Sequence, residues 1–237
     1  MKALILNSGI GKRMGELTKQ KCKCMAVLEK DTTILDRQLE KLYDAGIKDF
    51  CMTTGPFAKD LERYINEKYP MINIDFVHNP CYQHTNYIYS IFLAKEHLYD
   101  DILLLHGDLV FDSRVLDKLL YSKDSAMVVD SSVPLPEKDF KAVVENNRIK
   151  RIGIDEFKDS ISAQPLYKIF LKDWLIWLNE IERFCDGGNT SVYAENAFNN
   201  VSNEMNLVPL DVQGYFCGEV DNMQDLTHIR EIYHNIK

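Results

Sequence analysis

Asp101-Ile102-Leu103-Leu104-Leu105-His106-Gly107-Asp108 is the stretch on which the fold turns. Residues 102–105 are apolar without a break, so a strand here must be covered on both faces, as strands are in a parallel sheet flanked by helices. Toward the N-terminus, residues 85–98 set Ile88, Ile91, Phe92 and Leu98 at helical spacing, and residues 73–77 read as a strand. Residues 58–68 form a helix with Leu61, Tyr64 and Ile65 on one side, and residues 50–54 form a strand closed by Gly55-Pro56. Residues 33–45 carry Ile34, Leu35, Gln38, Leu39 and Leu42 on a helix that Gly46 ends, and residues 3–6 are a first apolar strand. Toward the C-terminus, residues 115–121 are helical and 126–130 extended. This alternation predicts an α/β fold, doubly wound around a mostly parallel, mixed sheet.

The second half is less regular. Pro134-Leu135-Pro136 interrupts the chain; residues 141–145 and 148–154 pair as a hairpin with Asn146-Asn147 as its turn. Residues 164–170 read as a strand and 173–184 as a helix whose Trp174 and Trp177 pack the core. Gly187-Gly188 is a loop, 192–200 a short helix, 207–215 a strand and 222–236 a closing helix. The 237 residues fit one α/β domain, with no linker or repeat. No run of 18 apolar residues is present, so no membrane partner is expected, and the opening apolar stretch is too short for a signal peptide. The formal charge of −8 argues against a nucleic-acid partner. Cysteines at 22, 24, 51, 81, 185 and 217 form no disulfide framework, which points to a reducing cytoplasm. Cys22 and Cys24 have no second pair with which to build a zinc site.

The chemistry begins at the end of the first strand, at Leu6-Asn7-Ser8-Gly9-Ile10-Gly11-Lys12-Arg13-Met14. Two close glycines let backbone N–H groups approach a phosphate, and Lys12 and Arg13 add positive charge. The same glycines also suit a plain turn, because the third glycine of the dinucleotide fingerprint and the Gly-Lys-Ser/Thr of the P-loop are both missing.

Leu17-Thr18, Lys23 and Met25 follow that loop. Together they resemble the signature of the sugar-nucleotidyltransferase-like family: Gly-x-Gly-x-Arg-Met/Leu, then Leu-Thr, then Pro-Lys-Pro-Met/Leu. Here the two prolines are replaced by Cys22 and Cys24. The resemblance continues through Ile34-Leu35-Asp36-Arg37-Gln38, Ala45-Gly46-Ile47, Gly107-Asp108, Gly218-Glu219-Val220-Asp221 and Asp225-Leu226. Within the family the chain looks similar to the phosphocholine and phosphonate cytidylyltransferases, on residues 79–91 (above all Thr85-Asn86 and Tyr89-Ser90), 134–143, 163–168 and 193–199. The last three segments resemble the phosphonate branch.

The resemblance implies a Rossmann-like nucleotidyltransferase fold, in which residues about 1–130 and 205–237 bind the nucleotide and an inserted portion, about 131–204, binds the acceptor. It implies Mg²⁺-dependent transfer of CMP from CTP to a small phosphonate, 2-aminoethylphosphonate first, or to a phosphoamino-alcohol. Such enzymes also occur fused to others of the phosphonate pathway, so the chain could be one domain of a larger protein. A sugar-nucleotide pyrophosphorylase would use the same motifs. A regulatory nucleotide-binding module would keep the loop but lose the metal carboxylates.

Nucleotidyl transfer brings two anions together and therefore needs positive charge at both. Asp108 follows a buried strand at its carboxyl end, where ligands bind in open α/β sheets, though an aspartate after Gly107 also suits a turn. Glu219 and Asp221, at i, i+2 on an extended segment, point to one face. The family match makes Asp108 and Asp221 metal ligands and leaves Glu219 either a ligand or a solvated strand carboxylate. Lys23 is expected on the α-phosphate and Arg13 on the leaving pyrophosphate, while Lys19 and Lys21 are solvated. A phosphonate acceptor is already ionised near pH 7 and needs no general base. The histidines at 78, 84, 97, 106, 228 and 234 form no ligand cluster, and His106 reads as a satisfied interior residue. The nucleotide is expected against Leu6, Asn7, Ser8, Gly9, Gly11, Thr85, Asn86 and Ser90, and the acceptor against Lys141, Gln164, Tyr167, Tyr193, Glu195 and Asn196. Glu195 would suit a primary ammonium, and Tyr193 a quaternary one.

Overall fold

The computed structural model describes residues 1–233, so His234 and the end of the expected 222–236 helix lie outside the described residues. In chain order the elements are β1 (Lys2–Asn7), β2 (Val27–Glu29), β3 (Thr32–Thr33), α1 (Ile34–Asp44), β4 (Asp49–Thr54), α2 (Ala58–Lys68), β5 (Asn73–His78), α3 (Tyr87–Ala94), β6 (Ile102–His106), β7 (Leu109–Phe111), α4 (Ser113–Tyr121), β8 (Ser125–Asp130), β9 (Lys141–Glu145), β10 (Arg148–Gly153), β11 (Ser160–Ile169), α5 (Leu171–Asp186), α6 (Ala194–Val201), β12 (Leu207–Asp211), β13 (Cys217–Glu219) and α7 (Met223–Ile232).

Four strands, β6-β1-β4-β5, form a parallel run, with Leu4 opposite Cys51 on one side and Leu104 on the other. Period-2 alternation divides these strands between two cores. Leu4, Leu6, Ile102 and Leu104 face a core built with Ile88 and Ile91 of α3, Trp174 and Trp177 of α5, and Phe198 of α6. Ala3, Ile5, Leu103 and Leu105 face the opposite core, with Leu35 and Leu39 of α1, Leu61 of α2 and Val115 of α4. Helices therefore cover both sides, the doubly wound arrangement that the apolar run at 102–105 requires. Both indoles are fully buried and satisfied, Trp174 donating to the Leu98 carbonyl and Trp177 to that of Ala194, each at 2.9 Å.

The sheet is mixed, as expected. The strand at 126–130 does not lie beside the strand at 102–106, because β11 runs antiparallel between β6 and β8. Its first residues pair with β9 and its last with β6, so the hairpin β9–β10 belongs to the same nine-stranded sheet. That hairpin turns on Asn146 (φ 50°) and Asn147 (φ 57°), two left-handed residues that match the right-handed twist of its strands. Several boundaries differ from expectation. The helix expected from residue 85 starts at Tyr87, because the Asn86 side chain accepts the Tyr87 N–H at 2.8 Å and caps it. The strand expected at 207–215 ends at Asp211, where its carboxylate turns back to Ser131 and Gln213. A third core of Met14, Leu28, Ile34, Val110, Val220 and Leu226 seats α7 beneath the glycine-rich segment. Among the described residues no helix is long and apolar enough to cross a membrane.

Candidate active site

β1, β4 and β6 all end at one edge of the sheet, after Asn7, Thr54 and His106. A cleft of about 340 Å³ opens there, lined by residues 6–9, 11–13, Lys23, Tyr82, 85–87, His106, Asp108, 138–140, Ile154, Tyr193, Glu219 and Asp221. Its floor depends on two glycines. Gly11 has φ +69°, and its carbonyl accepts the Thr18 hydroxyl at 2.9 Å, which closes the loop back on itself. Gly107 lies so near the Asn7 side chain that a Cβ would stand 1.7 Å from Asn7 Oδ1. Ser8 is held from behind by the buried Ser90 hydroxyl at 2.7 Å, and Asn79 Nδ2 donates to Ser90 at 2.9 Å and to Thr85 at 3.0 Å.

Three carboxylates meet three cations at the mouth of the sheet. Lys23 Nζ donates to Asp108 Oδ2 and, at 2.7 Å, to Asp221 Oδ1. Arg13 reaches the same Asp221 oxygen at 2.9 Å, and His106 Nδ1 lies 2.8 Å from Glu219 Oε1. The pairing of β13 with β7 sets Glu219 opposite Leu109, next to Asp108, and the Val220 N–H bonds the Asp108 carbonyl at 3.0 Å. Asp221 is fixed by its own N–H, which donates to Asp225 at 2.8 Å. One donor atom from each of His106, Asp108 and Glu219 falls within 4.8 Å of the others, a spacing that could hold a metal ion.

Mutual charge sets the ionisation here. Burial alone would raise Asp108, but Lys23 and His106 hold it below the ordinary carboxylate value. Burial alone would lower Lys23, but Asp108 and Asp221 hold it up and charged. Burial and the nearby Asp108 raise Glu219 against the pull of His106. Burial is likewise outweighed at His106, which Glu219 and Asp108 raise to about 9, making it an imidazolium at neutral pH.

Every residue expected on the nucleotide side except Ser90 lines the cleft, and Ser90 backs Ser8. Lys23, Arg13, Asp108, Glu219 and Asp221 are brought together as well. The acceptor side is different. Of the six residues expected there, only Tyr193 lines the cleft. Lys141 is fully buried and its ammonium is bound to the carbonyls of Asp139 and Ile154. Glu195 is buried and takes the hydroxyls of Tyr167 and Tyr87 on its two oxygens. Asn196 caps α6 by accepting the Tyr193 N–H at 3.1 Å, and Gln164 lies on β11 away from the cleft. The wall is instead made by Tyr87, Lys138, Asp139, Phe140 and Ile154 beside Tyr193.

His106 departs from the expected satisfied interior residue: it lines the cleft, and its Nε2 has no hydrogen-bond partner among the described residues. Its place two residues before Asp108 was the available signal. Asp139 and Phe140 were signalled only by lying within residues 134–143, a segment that resembles the phosphonate branch, and no role was expected of either.

A CTP:phosphoglutamine cytidylyltransferase of Campylobacter jejuni is 34% identical over 139 residues, covering 56% of this chain and 53% of that protein. A CMP-5'-(3-aminopropyl)phosphonate synthase of Streptomyces rubellomurinus is 29% identical over 131 residues, covering 55% of this chain and 21% of that protein. The chain therefore spans about half of the first relative and a fifth of the second. The solved inositol-1-phosphate CTP transferase from T. maritima superposes with a TM-score of 0.83 at 22% identity, covering 100% of this chain and 96% of that one, which establishes the nucleotidyltransferase Rossmann-like fold. Residues 3–192 match the MobA-like NTP transferase domain, and the chain belongs to that family of nucleotidyltransferases.

Proposed function

We propose that this nucleotidyltransferase is a Mg²⁺-dependent cytidylyltransferase that moves CMP from CTP to a small phosphonate, with 2-aminoethylphosphonate the preferred acceptor, and releases pyrophosphate. The observation that carries the reading is the Lys23 ammonium shared by Asp108 and Asp221 under the glycine-rich loop. Two carboxylates that converge on one ammonium have the spacing to converge on a divalent cation, and the all-oxygen set of Asp108, Asp221 and Glu219 suits Mg²⁺. Bound there, Mg²⁺ supplies charge neutralisation at the phosphate oxygens. The backbone from Leu6 to Gly11 cradles the phosphates, and Ser8, Thr85 and Asn86 face the base, with Ser90 behind them. Lys23 meets the α-phosphate and Arg13 the pyrophosphate. An acceptor oxygen forms a bond to the α-phosphorus while the bond from that phosphorus to the β-bridging oxygen breaks, and pyrophosphate leaves with the electron pair. Lys23 and Arg13 stabilise the charge that this displacement moves outward.

On the acceptor side Asp139 lines the cleft with a carboxyl that has no hydrogen-bond partner among the described residues. Burial and the neighbouring Asp221 hold it above the ordinary value, and a primary ammonium beside it would relieve that repulsion. Similarity to a CMP-5'-(3-aminopropyl)phosphonate synthase supports an amine-bearing phosphonate. A second reading, phosphocholine, is favoured by the aromatic wall: the Tyr193 ring lies 5.2 Å from Phe140 and 5.8 Å from Tyr87, and such rings attract a trimethylammonium. A pyrophosphate-release screen decides the matter. It crosses four nucleoside triphosphates with 2-aminoethylphosphonate, 2-hydroxyethylphosphonate, phosphocholine and glucose 1-phosphate. The expected maximum is CTP with 2-aminoethylphosphonate. A maximum for UTP or dTTP with glucose 1-phosphate would make the chain a sugar-nucleotide pyrophosphorylase instead.

A further inference from the structure

We infer that Lys23 is the resident counter-cation of the metal carboxylates, so that the free chain takes up a divalent ion only together with the nucleotide. This rests on the reading of Asp108 and Asp221 as metal ligands. The two carboxylates read as ligands are already matched by cations of the chain itself, Asp108 by Lys23 and Asp221 by Lys23 and Arg13. The side chains of Lys23, Asp108 and Asp221 are only 13%, 17% and 16% exposed, so none of these charges can be left unpaired cheaply. A divalent ion arriving alone must turn the ammonium out of its two hydrogen bonds. The displaced ammonium then sits half-buried beside the ion, with like charge against it.

The nucleotide removes both penalties. Lys23 opens a short turn over Lys23–Met25 whose next residue, Cys24, is fully buried, so its backbone is fixed. Its stem lies against the phosphate loop: a Cβ placed on Gly11 would be 3.4 Å from Lys23 Cβ. Rotation of the flexible end of the side chain alone carries the ammonium from the carboxylates to a phosphate on that loop. The carboxylates exchange an ammonium for a metal, and the lysine exchanges a carboxylate for a phosphate. Charge is matched before and after, but not when the metal binds by itself.

The test is Mn²⁺ binding to the purified chain without nucleotide, read as loss of the free-ion electron paramagnetic resonance signal. The wild type is expected to bind weakly. K23Q, which keeps a hydrogen-bond donor but no charge, and K23M are expected to bind about tenfold or more tightly, the scale of one hydrogen bond to a charged group. K23Q/D108N should lose that gain. Near-UV circular dichroism verifies that each variant is folded. Wild-type binding as tight as that of K23Q overturns the inference, and tight Mn²⁺ binding by the wild type alone overturns it even if every Lys23 variant unfolds. If neither wild type nor folded variants bind Mn²⁺, even with CTP, beyond what CTP binds by itself, the metal reading falls and takes the inference with it.

Discussion

Replacing Glu195 separates a structural carboxylate from an acceptor-binding one. Its two oxygens take the hydroxyls of Tyr87 and Tyr167, and Glu195, in the first turn of α6, and Tyr167, on β11, are both buried. Glu195→Ala leaves two hydroxyls without an acceptor. A buried unpaired group costs about 1–3 kcal/mol, so the loss should be about 2–6 kcal/mol. At about 2–4 °C per kcal/mol for a domain of this size, thermal unfolding should fall by about 4–24 °C. Glu195→Gln keeps the shape. Its carbonyl accepts one hydroxyl and its amide donates to the other phenol oxygen, so the cost should be under about 1 kcal/mol. Combining Glu195→Leu with Tyr87→Phe and Tyr167→Phe removes all three polar groups and should recover much of the alanine variant's loss. The assay is urea unfolding and calorimetry on each variant, alongside kcat/KM for 2-aminoethylphosphonate and phosphocholine. An alanine variant with unchanged stability would refute the strut. A clear narrowing of acceptor preference in Glu195→Gln at full stability would return Glu195 to the acceptor.

Four further outcomes are expected. Asp108→Asn and Asp221→Asn should each remove most activity while circular dichroism stays native; Mg²⁺-dependent turnover within a few-fold of wild type in both would defeat their metal role. Lys23→Ala should lower turnover by about 10²-fold or more, the scale of one aimed electrostatic donor, and weaken CTP binding far less; calorimetry against single-turnover kinetics separates the two. Asp139→Asn should cut kcat/KM for 2-aminoethylphosphonate by about tenfold relative to ethylphosphonate, which lacks the amine, the scale of one charged hydrogen bond. Burial raises the Asp36 carboxyl, but the Thr33 N–H, Lys68 and the hydroxyls of Tyr69 and Tyr64 outweigh it and hold it below its ordinary value. Its stabilisation is therefore complete above the ordinary carboxylate value of about 3.9 and is lost as pH falls through the lower folded value. Asp36→Asn should cost about 1–3 kcal/mol at neutral pH, and its deficit against wild type should shrink on acidification. A pH-independent deficit in urea unfolding would refute the assignment.

The parallel half of the fold was legible because its signals are local. Consecutive apolar residues at 102–105, Gly46 after a helical stripe and a Gly-x-Gly turn each specify their own backbone, and the parallel run β6-β1-β4-β5 follows from them. The position of β11 was not legible. Nothing within residues 160–169 says that the strand runs antiparallel between β6 and β8; that is decided by which edge remains open once the parallel strands have paired. The acceptor side failed for a related reason. Lys141, Tyr167 and Glu195 are polar residues whose partners lie elsewhere in the chain, at Ile154 and Tyr87 among others, so a side chain that looks available in sequence is already bound in the fold. His106 went the other way: a lone histidine on an apolar strand gives no sign that Glu219, brought in from near the C-terminus, will stand against it.

β11 joins the two halves of the cleft in a way that bears on how the enzyme could be re-engineered. One continuous strand pairs through Ser160–Ser162 with the β9 hairpin and through Leu166–Ile169 with β6, the strand that ends beside Asp108. The register shifts between Ala163 and Tyr167, around Pro165, which has no N–H to offer the ladder. That shift divides the strand into two segments, the first paired with β9 and the second with β6, while β8 pairs with both, through Ser162–Ala163 before the shift and Tyr167–Lys168 after it. A hairpin grafted from a relative with a different acceptor could enter before Ser162 as a cassette, joined to a strand whose downstream part is already locked to β6 and β8. Graft length would be forgiving before Ser162, where the pairing with β8 begins, whereas a single residue added between Leu166 and Ile169 would slip the register against β6 and turn its inward side chains outward.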